Sequence, residues 1–94
     1  MRYLCLNPRA LSDVRQMHAH LRDELDFPPH YGMNLDALYD ELTVLGAPTS
    51  ILCLQYEQHG APLYPHAEPF YRVIQDAAEA NPHLRVDCVT LPGA

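Results

Sequence analysis

Asp36 and Asp40 stand four residues apart in "NLDALYDELT", residues 34–43, and no Lys or Arg lies between 34 and 45 to pair with them. On a helix that spacing sets two carboxylates side by side, where like charges cost an isolated helix about 0.2–0.5 kcal/mol. Carboxylates held this way have three chemical uses. They can move protons, hold a divalent cation with a third acid such as Asp76, or meet a cationic partner surface.

The first two uses find no support in the rest of the chain. There is no Gly-rich phosphate loop, no HExxH, and no Ser/His/Asp pattern of known spacing. A chain of 94 residues also leaves little room for a deep pocket. The six His residues show no ligand spacing. His18 and His20, two apart on a helix, point in different directions and read as helix-surface residues, and His59, His66 and His83, in or near loops, read mostly as surface residues. The expectation is a protein that is not an enzyme, with no metal and no cofactor.

The third use fits better. Asp36 falls in the first turn after Asn34, where the helix dipole favours a carboxylate by about 0.3–1 kcal/mol. Helix stability therefore accounts for Asp36. It does not account for Asp40, which lies past that turn. Tyr31, Tyr39 and Thr43 flank the pair, and aromatic rings beside exposed charge make contact surface at low entropic cost. At about 100° per residue, Leu35, Leu38, Leu42 and Leu45 fall within roughly 80° of arc as a core stripe. Asp36, Asp40 and Thr43 line the flank beyond Tyr39, and Glu41 points away.

The elements that position this face read as follows. "RYLCL", residues 2–6, is a short buried strand ending at Asn7-Pro8. Ser12 caps a helix to about Leu25, with Val14, Met17, Leu21 and Leu25 as its apolar stripe. Phe27-Pro28-Pro29 breaks the helix, and Gly32 is free to take positive φ in the loop that follows. Asn34 caps the next helix, which runs to about Leu45. "TSILCL", residues 49–54, is the second strand. Residues 55–67 hold at most one helical turn, near 55–59, because Gly60, Pro62 and Pro65 intervene. Pro69 opens a helix with Phe70, Val73, Ile74 and Ala77 on its core face, ended by Asn81-Pro82. "LRVDCVTL", residues 84–91, is a third strand with the mixed composition of an edge. Strands separated by helical crossovers imply an α/β fold with a three-stranded parallel sheet covered by helices, in one domain over 1–94.

Composition narrows the partners. Twelve acids face six Arg and no Lys, for a net charge of −6. Phosphate neutralisation by such a chain is excluded as a binding mode, so no direct nucleic-acid binding is expected. No apolar run approaches the ~20 residues of a membrane span, and the N-terminus lacks a signal-peptide core, so the expectation is cytoplasmic. Cys5, Cys53 and Cys88 are odd in number, widely spaced and set in apolar runs. They read as buried, reduced thiols rather than as a disulfide framework.

"FPPHYGMNLDALYDELT", residues 27–43, resembles the signature of the barstar family, the intracellular inhibitors of barnase-type ribonucleases. Tyr31, Gly32, Asn34, Leu35, Asp36, Ala37, Leu38, Asp40, Leu42 and Thr43 stand at matching positions. "AEPFYRVIQDAAEA" adds a weaker similarity. The resemblance implies the same sheet-and-helix fold and a partner, a basic ribonuclease of the extracellular or toxin type. It also implies roles. Asp40 stands in for a substrate phosphate in the enzyme's cleft, while Asp36 and the last helix's acid, at Asp76, reach flanking bases. The implied contact set is His30, Tyr31, Gly32, Asn34, Leu35, Asp36, Tyr39, Asp40, Thr43 and Asp76. His30 replaces a family Tyr, Tyr39 a Trp, Val44-Leu45 a Gly-Trp pair, and Asp76 the usual, longer Glu. These departures imply a partner other than barnase itself. The alternative reading is an acidic regulatory module that recruits a basic protein with no nuclease activity.

Overall fold

A computed structural model describes residues 1–93. Strand β1, Arg2–Leu6, ends where the Asn7 carbonyl accepts the N–H groups of Ala10 and Leu11, each at 3.0 Å. Helix α1, Val14–Leu25, is capped by Asp13, whose Oδ1 accepts the Gln16 N–H at 2.8 Å. The expected cap, Ser12, lies one residue too early. Its N–H and hydroxyl both turn to Gln16 Oε1 instead. Met17, Leu21 and Leu25 are buried as expected, but Val14 is half exposed. It sits on the first turn, beyond the reach of the core.

Helix α2, Leu35–Thr43, stops two residues before the expected Leu45, since Val44 leaves helical geometry at φ −100° and ψ 3°. Strand β2, Thr49–Gln58, is longer than its apolar part predicts and takes in residues 55–58, where at most one helical turn was expected. His59 and Gly60 both take positive φ, 56° and 76°, the backbone a two-residue hairpin turn requires. They lead into strand β3, Ala61–Pro62, antiparallel to β2. Gln55, Glu57 and Gln58 hid this extension because a solvated strand end carries no apolar signal. A 3₁₀ turn, Pro65–Ala67, feeds helix α3, Glu68–Ala80, with Pro69 in its first turn. Strand β4 is Leu84–Pro92.

The architecture is the expected α/β fold. Central β2 pairs in parallel with β1 on one side and β4 on the other, so β4 is an edge strand. Leu4, Leu6, Ile51, Cys53 and Leu84 face Met17, Leu21, Leu38, Leu42, Phe70 and Ile74 in one core cluster. Helices cover only that face. Tyr3, Cys5, Leu52 and Val89 are exposed. This corrects the expected burial of all three thiols. Cys53 is fully buried, whereas Cys5 lies on the open face and Cys88 on the exposed edge strand. Parallel strands are usually covered on both faces, and the sequence expectation carried that assumption.

Candidate functional site

The loop between α1 and α2 is pinned at both ends. Asp26, in left-handed geometry at φ 54°, ends α1 and pairs with Arg2 at 3.0 Å. That contact ties the loop's start to the first residue of β1. Phe27 and Tyr31 are buried, with ring centroids 4.9 Å apart, and the Tyr31 N–H donates to the Pro28 carbonyl at 2.9 Å. Tyr31 therefore points inward, and its hydroxyl lies 2.7 Å from His18 Nδ1. Burial, and then the charge of Glu41, push the Tyr31 hydroxyl up to about 12. The expectation that His18 is a surface residue is thus corrected, since it is only 2% exposed. His18, Leu21 and Leu25 share the i, i+3, i+7 spacing of a core face, a signal that polarity masked.

Gly32 does not take the positive φ expected of it; Met33 does, at 52°. The glycine instead leaves room that a side chain would crowd. A Cβ there would come within 3.1 Å of Asn34 Nδ2 and 3.6 Å of Ala37 Cβ. Asn34 is the cap of α2, its Oδ1 accepting the Ala37 N–H at 2.8 Å while Nδ2 reaches the Gly32 carbonyl at 3.4 Å. The loop's close packing and the start of α2 are one arrangement.

From that cap, α2 buries Leu38 and Leu42 and leaves Asp36, Tyr39 and Asp40 exposed. His30, Gly32 and Asn34 are exposed in the adjoining loop. Leu35 is half buried against the core, and the half-buried Thr43 donates its hydroxyl to the Asp40 carbonyl at 3.0 Å. Asp76 is exposed on α3, which packs against α2. The contact set expected from sequence thus divides into an exposed face, its supports Tyr31, Leu35 and Thr43, and an acid on the neighbouring helix.

Among the described residues, the ion pairs are Arg2–Asp26, Arg22–Asp23 and Arg85–Asp87, and none takes up Asp36 or Asp40. Nor does any cluster of three His, Cys, Asp or Glu among them fit a metal ion. A cavity of about 70 Å³ is lined by Pro8, Leu54, Tyr56, Tyr64 and Tyr71, none of them on the loop or α2. It is well below the ~300 Å³ at which small-molecule sites begin.

Asn81 is a second residue whose role the sequence concealed. It is buried after α3, and its Nδ2 donates to the carbonyls of Leu42 at 2.9 Å and Leu45 at 3.0 Å. No local pattern reveals this, because the carbonyls lie 39 and 36 residues away in the chain.

Comparison with known proteins places the chain beside the following. The model of the family described as Barstar (barnase inhibitor) matches residues 1–90. A protein of Bacillus subtilis (strain 168), named "Putative ribonuclease inhibitor YrdF", is 36% identical over 80 residues, covering 84% of this chain and 88% of the relative.

Proposed function

The chain belongs to the barstar family, and on that premise we propose that it inhibits a basic ribonuclease by seating its α1–α2 loop and α2 in the enzyme's active-site cleft. The observation that carries this reading is the exposed, unpaired Asp36/Asp40 face of α2. Asp40 takes the place of a substrate phosphate among the enzyme's cationic catalytic groups. Asp36 and Asp76 reach bases at the rim, and Tyr39 supplies apolar contact beside them. The repulsion between the two α2 acids is relieved when a cationic cleft closes over them. The departures at His30, Tyr39 and Asp76 direct the protein to a ribonuclease other than barnase.

The test is capture of the partner on immobilised protein, followed by titration of its ribonuclease activity. Asp40→Ala is expected to weaken binding at least 30-fold, the scale of an interface residue worth about 2 kcal/mol. Glu24→Ala, an exposed acid on α1, is expected to change it less than threefold. Association should slow markedly with added salt, because steering is screened within ~10 Å at 0.1 M. Equal, small effects of the two substitutions would remove α2 from the interface. A captured basic partner without nuclease activity would replace the enzyme with a regulatory target.

A further inference from the structure

Strand β4, Leu84–Pro92, is hydrogen-bonded along one side only, to β2. One bond fixes which of its groups face the other way. The Thr49 N–H donates to the His83 carbonyl at 2.8 Å, and Thr49 stands opposite Leu84 in the register. Backbone groups alternate in direction along a parallel ladder. Arg85, Asp87 and Val89 therefore turn theirs to β2, and Val86, Cys88 and Thr90 turn theirs outward. Among the described residues, nothing hydrogen-bonds to these outward groups. The register with β2 runs without a bulge, and the strand meets no proline before Pro92. A long, unbroken edge of this kind is a template for another strand.

The side chains select which strand. Arg85 and Asp87 are exposed on the open face of the sheet and lie 3.7 Å apart. An antiparallel second copy, related by a two-fold axis at Val86, sets Arg85 of each chain opposite Asp87 of the other. These are the non-hydrogen-bonded pairs, with Cα atoms about 4.5 Å apart and side chains closest. In the same register the outward groups of Val86 meet those of its copy, and the Cys88 N–H meets the Leu84 carbonyl. Sliding the copy by two residues one way sets Arg85 against Arg85; sliding it the other way sets Asp87 against Asp87. Like charges directly opposite are destabilising. Sliding further leaves both charges without a counterpart. The edge is thus complementary to itself in one register.

We propose that β4 pairs antiparallel with β4 of a second copy of this chain, in the register that sets Arg85 opposite Asp87, and joins two sheets into one. The axis runs through the sheet, so both sets of helices stay on one side and the open face stays on the other. A strand edge of this length buries less than the ~1,200 Å² at which stable interfaces begin, so the dimer is reversible.

The experiment is sedimentation equilibrium of the full chain under reducing conditions, with monomer expected at ~1 μM and dimer predominating at ~1 mM. Arg85→Asp and Asp87→Arg should each weaken association at least tenfold, because the two-fold axis repeats every substitution. The second does so although it brings the net charge of −6 nearer zero. The double swap keeps both the net charge and the complementarity, and should return the affinity to within threefold of wild type. Both side chains are exposed, so circular dichroism should report intact folding for all three variants. At the higher concentration the Val86 and Cys88 amides should gain protection from hydrogen exchange. The Arg85 and Asp87 amides, which already face β2, should not. A chain that stays monomeric at the higher concentration leaves the edge to some other protein's extended segment and overturns the proposal. So does a dimer that the single substitutions leave unchanged, a swap as weak as either single change, or association without protection of Val86 and Cys88. The free protein suffices for every reading, so an error in the nuclease assignment changes none of them.

Discussion

The side-chain amide of Asn81 donates to the Leu42 carbonyl at 2.9 Å, joining the residue after α3 to the last turn of α2. A second donation, to Leu45, is 3.0 Å long, and the Asn81 Oδ1 accepts the His83 N–H at 3.0 Å. Carbonyls at a helix C-terminus lack the next turn's N–H groups; here Asn81 donates to the Leu42 carbonyl, which also takes the Leu45 N–H at 3.5 Å, and to the carbonyl of Leu45, two residues past α2. The helix carrying Asp40 is therefore fixed at one end by its own Asn34 and at the other by Asn81.

Replacing Asn81 should be costly. Asn81→Leu removes the side-chain donor from both carbonyls at once, and a buried polar group that loses its partner costs about 1–3 kcal/mol. A loss of roughly 2–3 kcal/mol in urea unfolding is expected. Asn81→Asp should be no milder, since a carboxylate cannot donate. A loss below about 0.5 kcal/mol would mean that water replaces the amide.

Asp40 should behave in the opposite sense. Its carboxylate has no ion-pair partner among the described residues and sits one turn from Asp36. Asp40→Ala removes the repulsion and adds a better helix former, so stability should hold or rise by about 0.2–0.5 kcal/mol. Joined to a large loss of binding, that gain marks a residue kept for its partner. A stability loss above 1 kcal/mol in thermal unfolding would show that Asp40 supports the fold.

Gly32 offers a finer test. Its φ is not positive, so alanine there meets no backbone strain; it meets Asn34 Nδ2 at 3.1 Å. Gly32→Ala should displace the cap and cost about 1 kcal/mol, the usual worth of an N-cap. Because the damage passes through Asn34, Gly32→Ala combined with Asn34→Ala should cost clearly less than the sum of the two. Additive losses in the double-mutant cycle would assign Gly32 a role of its own.

These residues also mark what the sequence could reveal. The α2 face was legible because its evidence is local: a leucine stripe, a capping Asn, and two acids with no base nearby. The order of strands and helices was legible from apolar runs and proline breaks. What stayed hidden depends on residues distant in the chain. His18 and Asn81 are polar side chains whose partners come from other elements, and polarity alone argues for the surface. The open face of the sheet, with Cys5 and Leu52, was hidden because hydrophobicity does not say whether a second layer exists to cover a strand. Residues 55–58 were missed because a polar strand end resembles a loop until its neighbour is known.

Tyr71 separates stability from binding. Its ring is buried under α3, and its hydroxyl lies 2.7 Å from the Leu54 carbonyl and 3.2 Å from that of Leu6, between β1 and β2. Burial pushes the hydroxyl well above its ordinary pKa, so it stays a neutral donor throughout the working range. Tyr71→Phe keeps the ring and removes the donor, and should cost about 1–2 kcal/mol in urea unfolding. Neither of the hydroxyl's hydrogen bonds reaches the loop or α2, so partner affinity should remain within threefold of wild type. If affinity instead falls in step with stability, the binding face is not an independent surface. The effect of Asp40→Ala on binding would then have to be judged against the stability of the whole fold.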